Sequence, residues 1–121
     1  MTVLFEVTAS QIGELVSDFM KQKILILFDE NAPKELHDIT VLHTNRKNSG
    51  EIKPNDTLII NNQSFRIQFV GSTANQTIQE LGHVIFKFDG STEDLPGSIC
   101  VEEMPIPEIR VGSIIQIVRN E

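Results

Sequence analysis

The sequence predicts a mostly β fold, a single-domain antiparallel barrel or sandwich-like barrel of about seven strands with two or three short helices. Sixteen isoleucines and nine valines against nine leucines favour strands, because β-branched side chains pack well on a pleated sheet and lose rotamer freedom in a helix. The apolar segments are short and separated by turn residues, and closure of the sheet would remove exposed strand edges. No linker or repeat divides the chain, so residues 1–121 are expected to form one domain.

The N-terminal half is expected to contain three strands and one longer helix. Apolar residues recur at helical spacing over residues 10–21, and Ser10 is the expected N-cap of that helix. Asn31, Ala32 and Pro33 interrupt the chain before a short turn or helix at 34–37. The three strands are expected at residues 3–8, 23–28 and 39–44.

The C-terminal half is expected to be richer in strands. Asn61 and Asn62 are typical turn residues and predict a hairpin. A short helix over residues 73–81 is expected to end at Gly82, because glycine most easily adopts the left-handed conformation that ends a helix. Strands are expected at residues 57–60, 64–70, 83–88, 98–101 and 112–119.

The charge balance argues against nucleic acid as a partner. The net charge is −7, from 17 acidic and 10 basic residues, and such a protein repels a phosphate backbone. Residues 88–109 contain six acidic residues and no lysine or arginine, which predicts a negative face suited to a basic partner protein.

A cytoplasmic location is expected from three further features of the sequence. Cys100 is the single cysteine, so an intrachain disulfide is excluded, and its apolar surroundings predict a core residue. The first residues lack the basic start and apolar run of a signal peptide, and no apolar run is long enough to span a membrane.

His43 is the main candidate for chemistry. It shares a strand face with Ile39 and Val41 and is expected where that strand passes into a polar loop. A neutral imidazole can attack phosphorus without a separate base when its other nitrogen is held by a hydrogen-bond acceptor. This function requires a ring that is reachable, uncharged and surrounded by open surface. The ordinary alternative is a partly buried histidine whose nitrogens bind backbone groups.

Four residues are candidates for stabilising a phosphoryl group on that histidine. Thr44 and Arg46 follow it closely in sequence, and a guanidinium would offset the incoming negative charge. Ser72 and Thr73 stand at the start of the predicted helix 73–81, where backbone N–H groups favour anions. Each of the four also has an ordinary interpretation as a solvated polar residue.

His83 is a candidate supporting residue. It begins a strand whose large apolar side chains should face the core, so its ring should lie on the less buried face, within reach of a phosphoryl group on a neighbouring strand. No metal site is expected, because of the three histidines only His37 and His43 are close in sequence and the cysteine lies elsewhere. The sequence contains neither a GxSxG motif nor a glycine-rich phosphate loop, so phosphate would have to come from another protein.

Three segments carry a resemblance to a known family. Residues 25–36 (LILFDENAPKEL), 41–44 (VLHT) and 71–90 (GSTANQTIQELGHVIFKFDG) resemble the glucitol/sorbitol-specific IIA component of the bacterial phosphoenolpyruvate-dependent sugar phosphotransferase system. The similarity runs over nearly the whole chain. The run ELGHVIFKFDG is its most specific part, whereas VLHT alone would carry no weight.

The resemblance implies a phosphoryl relay without a cofactor. In that family a histidine at the end of the VLHT segment, here His43, accepts a phosphoryl group from the phosphocarrier protein HPr and gives it to the IIB component. His83 matches a position in ELGHV, and Asn45 stands where some relatives have a second histidine. Two alternatives remain, a non-catalytic β-barrel module that binds a protein or small ligand, and a regulatory domain that keeps the phosphorylation but has lost transfer to IIB.

Overall fold

Eight strands close into one barrel in the computed structural model, which describes residues 1–120. Three short helices connect them, α1 (Val16–Lys21), a 3₁₀ helix (Lys34–Ile39) and α2 (Ala74–Leu81). The strands are β1 (Thr2–Ile12), β2 (Ile24–Asp29), β3 (Val41–Asn48), β4 (Thr57–Ile60), β5 (Gln63–Val70), β6 (Val84–Lys87), β7 (Ser98–Val101) and β8 (Ile114–Arg119).

The barrel is mixed. Around its circumference the order is β1-β3-β2-β6-β7-β5-β4-β8, and the pairs β2–β3 and β6–β7 are parallel. The predicted mostly β barrel is confirmed, but the expectation of purely antiparallel pairing has to be corrected at these two pairs. Parallel neighbours need a crossover connection, and the segment with the 3₁₀ helix provides one between β2 and β3.

The barrel interior is filled by aromatic and β-branched side chains, including the fully buried Phe5, Phe65, Phe86 and Phe88. Cys100 is buried in β7, as expected for a core residue, and burial raises the pKa of its thiol to about 11. No helix within residues 1–120 is long and apolar enough to cross a membrane.

Two predicted elements have different bounds in the structure. The helix expected over residues 10–21 begins only at Val16, because β1 continues to Ile12 through pairing with β3. Ser10 therefore lies in a strand and caps no helix. β3 continues to Asn48 through a segment expected as loop, since its polar residues also pair with β1.

Two predicted turns are confirmed. Gly82 ends α2 in the left-handed conformation with φ +61°. Asn61 and Asn62, with φ +48° and +72°, join β4 to β5.

Candidate functional site

A bulge in β3 brings His43 and Arg46 to the same part of the molecule. Thr44 pairs with Thr8 and Lys47 pairs with Glu6, so the two residues Asn45 and Arg46 lie opposite one residue of β1. Asn45 takes φ +56°, a conformation that asparagine tolerates better than most residues. An extra residue changes the alternation of side chains, so Arg46 lies on the same side as His43, which regular alternation would not allow.

The ring of His43 is held at the C-terminal end of α2. Its Nε2 lies 2.8 Å from the carbonyl oxygen of Gly82. Phe5 contacts the ring edge-on, with centroids 6.2 Å apart and an interplanar angle of 86°. A carbonyl can only accept a hydrogen bond, so Nε2 carries the proton. The neutral ring therefore has its lone pair on Nδ1, which is buried and has no hydrogen-bond partner among residues 1–120.

Glycine is required at position 82 for two reasons. The left-handed φ disfavours any side chain, and a Cβ there would lie 2.5 Å from Cε1 of His43 and 3.0 Å from its Nε2. The same Cβ would lie 3.1 Å from Cδ of Arg46. The end of the helix and the histidine ring are thus packed directly against each other.

Arg46 donates to two carbonyl groups at the end of α2, and one of them, that of Ile78, also accepts the backbone N–H of Gly82. Nη1 of Arg46 donates to the carbonyl oxygens of Ile78 and Gln79, at 2.6 and 2.9 Å. A cation at a helix C-terminus is also favoured by the helix dipole. Arg46 is therefore near His43, as the sequence predicted, but in this structure its donors bind the helix end.

Asp29 completes the group of charges around the ring and was missed by the sequence analysis. It pairs in register with His43 across the parallel β2–β3 ladder, and its Oδ2 lies 3.9 Å from Nη2 of Arg46. Burial lowers the pKa of His43 below its usual 6.5, although the Gly82 carbonyl and the Asp29 carboxylate act in the opposite direction. The imidazole is therefore uncharged at neutral pH. A polar residue directly after a buried strand was the available signal for Asp29.

The accessibility predicted for His43 is not found. The residue is only 1% exposed. Open surface does surround it, because Asn45 and Gln79 are exposed and Leu81, next to Gly82, is 43% exposed. The requirement for an uncharged ring is met, whereas a reaction at the ring requires a local movement that uncovers it.

His83 lies beside the site without contacting His43. Its Nδ1 lies 3.0 Å from the carbonyl oxygen of Leu27, and its ring stacks on Phe28 with centroids 4.6 Å apart. The ring is half-buried, and the residue lies just before β6, which begins at Val84 rather than at residue 83 as expected. No hydrogen bond or ring contact joins the two histidines within the described residues, so direct support of His43 by His83 has no basis in this geometry.

The remaining candidates are dispersed. Ser72 and Thr73 precede α2, whereas Gly82 follows it, so the length of the helix, about 12 Å, separates them from the ring. Thr44 is next to His43 but on the opposite face of the strand. The structure therefore brings Arg46 to the ring and does not bring Ser72 or Thr73 there.

The acidic stretch 88–109 is partly neutralised. Three of its six acids form ion pairs, Asp94 with Lys87, Glu103 with Lys23 and Glu108 with Arg110. β7, at the centre of this stretch, lies three strands away from β3 around the barrel. The negative face is thus weaker than the sequence suggested and is not adjacent to His43.

No group of metal ligands lies at the three histidines. His37 binds the carbonyl oxygen of Ala32 through Nε2, at 3.0 Å. Nowhere in residues 1–120 do three or more His, Cys, Asp or Glu side chains lie together as ligands of one ion would.

The barrel is one already seen in a solved protein. The crystal structure titled as a PTS system IIA component from Enterococcus faecalis V583 matches it with a TM-score of 0.81 and 24% sequence identity. The match covers 94% of this chain and 99% of that one. This chain therefore has the same fold as that solved structure.

The family follows from the sequence comparison. The family model described as "PTS system glucitol/sorbitol-specific IIA component" matches residues 4–116, and the chain belongs to this family. Two curated relatives, from Shigella flexneri and Escherichia coli (strain K12), carry the same designation with the spelling EIIA. Each is 32% identical over 118 residues, which is 96% of this chain and 95% of the relative. IIA components are parts of phosphotransferase systems for sugar transport.

Proposed function

We propose that the chain is a cytoplasmic phosphoryl carrier for glucitol/sorbitol uptake. It accepts a phosphoryl group from HPr on His43 and passes it to the IIB component. Family membership gives the class of the reaction. The observation that supports this residue is an uncharged imidazole with one nitrogen held by a backbone carbonyl and the other without a partner.

The chemistry needs little beyond this ring. A neutral imidazole nitrogen attacks the phosphorus of a donor phosphohistidine, a new P–N bond forms, and the donor ring leaves with the electron pair of the old bond. The positive charge of Arg46 acts on the ring and would offset the added negative charge, whereas the carboxylate of Asp29 opposes it.

A docking partner has to uncover the ring as well as bind the protein. Because His43 is 1% exposed, the partner must stabilise a conformation in which the ring is uncovered. The exposed Leu81 and Gln79, at the end of α2, lie where such a partner would make contact. Two successive partners have to release the carrier, so weak and small interfaces are expected.

The test is phosphorylation in a reconstituted system. Incubation with phosphoenolpyruvate, Enzyme I and HPr should add one acid-labile phosphoryl group, read by intact-protein mass spectrometry. His43→Gln should abolish the gain, because the Gln side-chain amide can still donate to the Gly82 carbonyl while no nucleophilic nitrogen remains. Addition of the IIB component should then remove the group from the wild-type protein.

A matched control is His37→Gln, which keeps an amide donor near the Ala32 carbonyl and should be phosphorylated as the wild type is. Full phosphorylation of His43→Gln would contradict the proposal for this residue. Absence of any mass gain in the wild-type protein would contradict the carrier function itself.

A non-catalytic binding module is the second candidate, and two observations favour it. The ring is buried, and an open apolar groove of about 770 Å³ lies between α1 and the segment before β8. Lys23 lines this groove and Asp29 is beside His43, so the two places are about 20 Å apart along β2. The residues that mainly line the groove are Ile12, Val16, Met20, Met104, Ile106 and Ile109. An unmodified wild-type protein in the mass assay would favour this function.

A further inference from the structure

We propose that Nδ1 of His43 is the nitrogen that carries the phosphoryl group, and that the backbone carbonyl of Gly82 determines this choice by holding the ring as the Nε2–H tautomer. This inference rests on the proposed carrier function and adds the reacting atom. Gly82 is then a positioning residue that acts through its backbone.

The Gly82 carbonyl determines the tautomer of the His43 ring. Nε2 lies 2.8 Å from the Gly82 carbonyl oxygen, an ordinary hydrogen-bond length, and this oxygen has no proton to give. A lone pair on Nε2 would face a lone pair on the oxygen at the same distance. The Nε2–H tautomer is therefore the one that this position stabilises, and the nucleophilic lone pair belongs to Nδ1.

Nδ1 is the nitrogen with the free lone pair in this tautomer. It is a buried nitrogen without a hydrogen-bond partner in the part of the chain that the structure describes, although the great majority of buried polar atoms in proteins have one. Such an atom costs stability and calls for an explanation. A lone pair kept free for reaction with phosphorus provides that explanation, since a bound donor would have to be displaced first.

Nε2 has no room for a phosphoryl group while the ring keeps its position. A phosphorus bonded to Nε2 would have to lie between that nitrogen and the Gly82 oxygen, which are too close together to admit another atom. Reaction at Nε2 therefore requires the ring to leave its position, lose its hydrogen bond and exchange its tautomer. Reaction at Nδ1 requires only that the groups covering this nitrogen move.

The proton on Nε2 of His43 stays in place during the transfer. Nδ1 forms the new P–N bond as the donor's P–N bond breaks and its electron pair stays on the donor imidazole. The product ring is a phosphoimidazolium that keeps its proton on Nε2, donated to the Gly82 carbonyl. This hydrogen bond becomes charge-assisted and stabilises the protonated form, in which the ring is a good leaving group for transfer to the next acceptor.

The experiment uses a protein with one histidine. His37→Gln together with His83→Asn leaves His43 as the only histidine and keeps an amide donor near the carbonyl oxygens of Ala32 and Leu27. The ¹⁵N-labelled protein is studied by long-range ¹H–¹⁵N NMR at neutral pH. It is then phosphorylated through HPr, or with phosphoramidate as a small-molecule donor, and ³¹P–¹⁵N coupling locates the phosphorus.

We expect a single Nε2–H tautomer before reaction and coupling of phosphorus to Nδ1 afterwards. An Nδ1–H tautomer, or phosphorus on Nε2, overturns this inference and leaves the carrier function intact. Failure of both donors to modify His43 overturns both proposals. A further variant, Gly82→Ala, should move the ring and produce a mixture of tautomers, whereas Gly97→Ala, with open space around the new Cβ, should leave the wild-type spectrum.

Discussion

The surroundings of His43 and His83 differ in burial far more than in hydrogen bonding. Each ring gives one N–H to a backbone carbonyl, His43 through Nε2 to Gly82 and His83 through Nδ1 to Leu27. The two carbonyls thus select opposite tautomers. His83 keeps a half-buried ring stacked on Phe28, whereas His43 is covered almost completely.

This difference shows what burial adds to a held imidazole. The carbonyl determines which nitrogen carries the proton in both rings. At His43, burial also lowers the pKa, and within residues 1–120 the second nitrogen has no hydrogen-bond partner. If close packing around His43 is the source of this difference between the two rings, three measurements should detect it.

The largest effect is expected from Gly82→Ala. An alanine at φ +61° is strained, and its Cβ would lie 2.5 Å from the ring of His43, so we expect a loss of about 3 kcal/mol in the free energy of unfolding. Urea denaturation measures it. Gly97→Ala is the matched control, because its Cβ would meet nothing within 4 Å, and it should change stability by less than about 0.5 kcal/mol. Equal effects of the two variants would mean that the ring and the helix end are not tightly packed.

A smaller loss is expected from Arg46→Met, which keeps the length of the side chain and removes its charge. The carbonyl of Gln79 loses its Arg46 donor and that of Ile78 keeps only the Gly82 N–H, and we expect unfolding to become easier by about 2 kcal/mol. Removal of the positive charge should also raise the pKa of His43, which NMR titration would follow. Lys47→Met serves as the control, since the Lys47 side chain is 72% exposed and pairs with Glu6 at 3.4 Å on the surface. A lower pKa of His43 in Arg46→Met would be the contrary result.

The smallest effect concerns pH. The folded protein holds His43 with a lowered pKa, so below the unfolded-state value of about 6.5 the unfolded chain binds a proton that the folded chain does not. Stability should therefore fall with acidification, by at most about 1.4 kcal/mol per pH unit from this group, and the effect should vanish above about pH 7.5. Urea unfolding of the wild type and of His43→Gln at about pH 7.5 and about pH 5.5 would isolate the contribution.

His83→Asn provides the comparison within that experiment, because it keeps His43 and should lose stability on acidification as the wild type does. Parallel behaviour of the wild type and His43→Gln would show that burial does not control the charge of His43.

Local patterns identified candidates for this site but not their arrangement in the fold. His43, Arg46 and the helix-ending role of Gly82 came from local patterns, because nucleophilic character, charge and left-handed glycine are properties of single residues or short motifs. Asp29 was missed because its relation to His43 depends on parallel pairing of β2 and β3, which local periodicity does not reveal.

The errors in the fold have a similar origin. The polar residues after His43 are typical of a loop, but they pair with β1 and contain a bulge at Asn45. The first residues of the helix expected from residue 10 belong to β1 instead, because they are part of the same strand pairing. In both places, hydrogen bonding between strands outweighs the local conformational preference of the sequence. The same pairing extends β3 beyond His43, so His43 lies within the strand and not at its end.

Closure of the barrel limits how a partner can recognise the protein. Every strand within residues 1–120 has two hydrogen-bonded neighbours, so an incoming peptide cannot extend the sheet by strand addition. Recognition has to use side chains and loop surfaces, which favours brief encounters over templated assembly. The same closure protects a strand-rich protein against edge-to-edge aggregation.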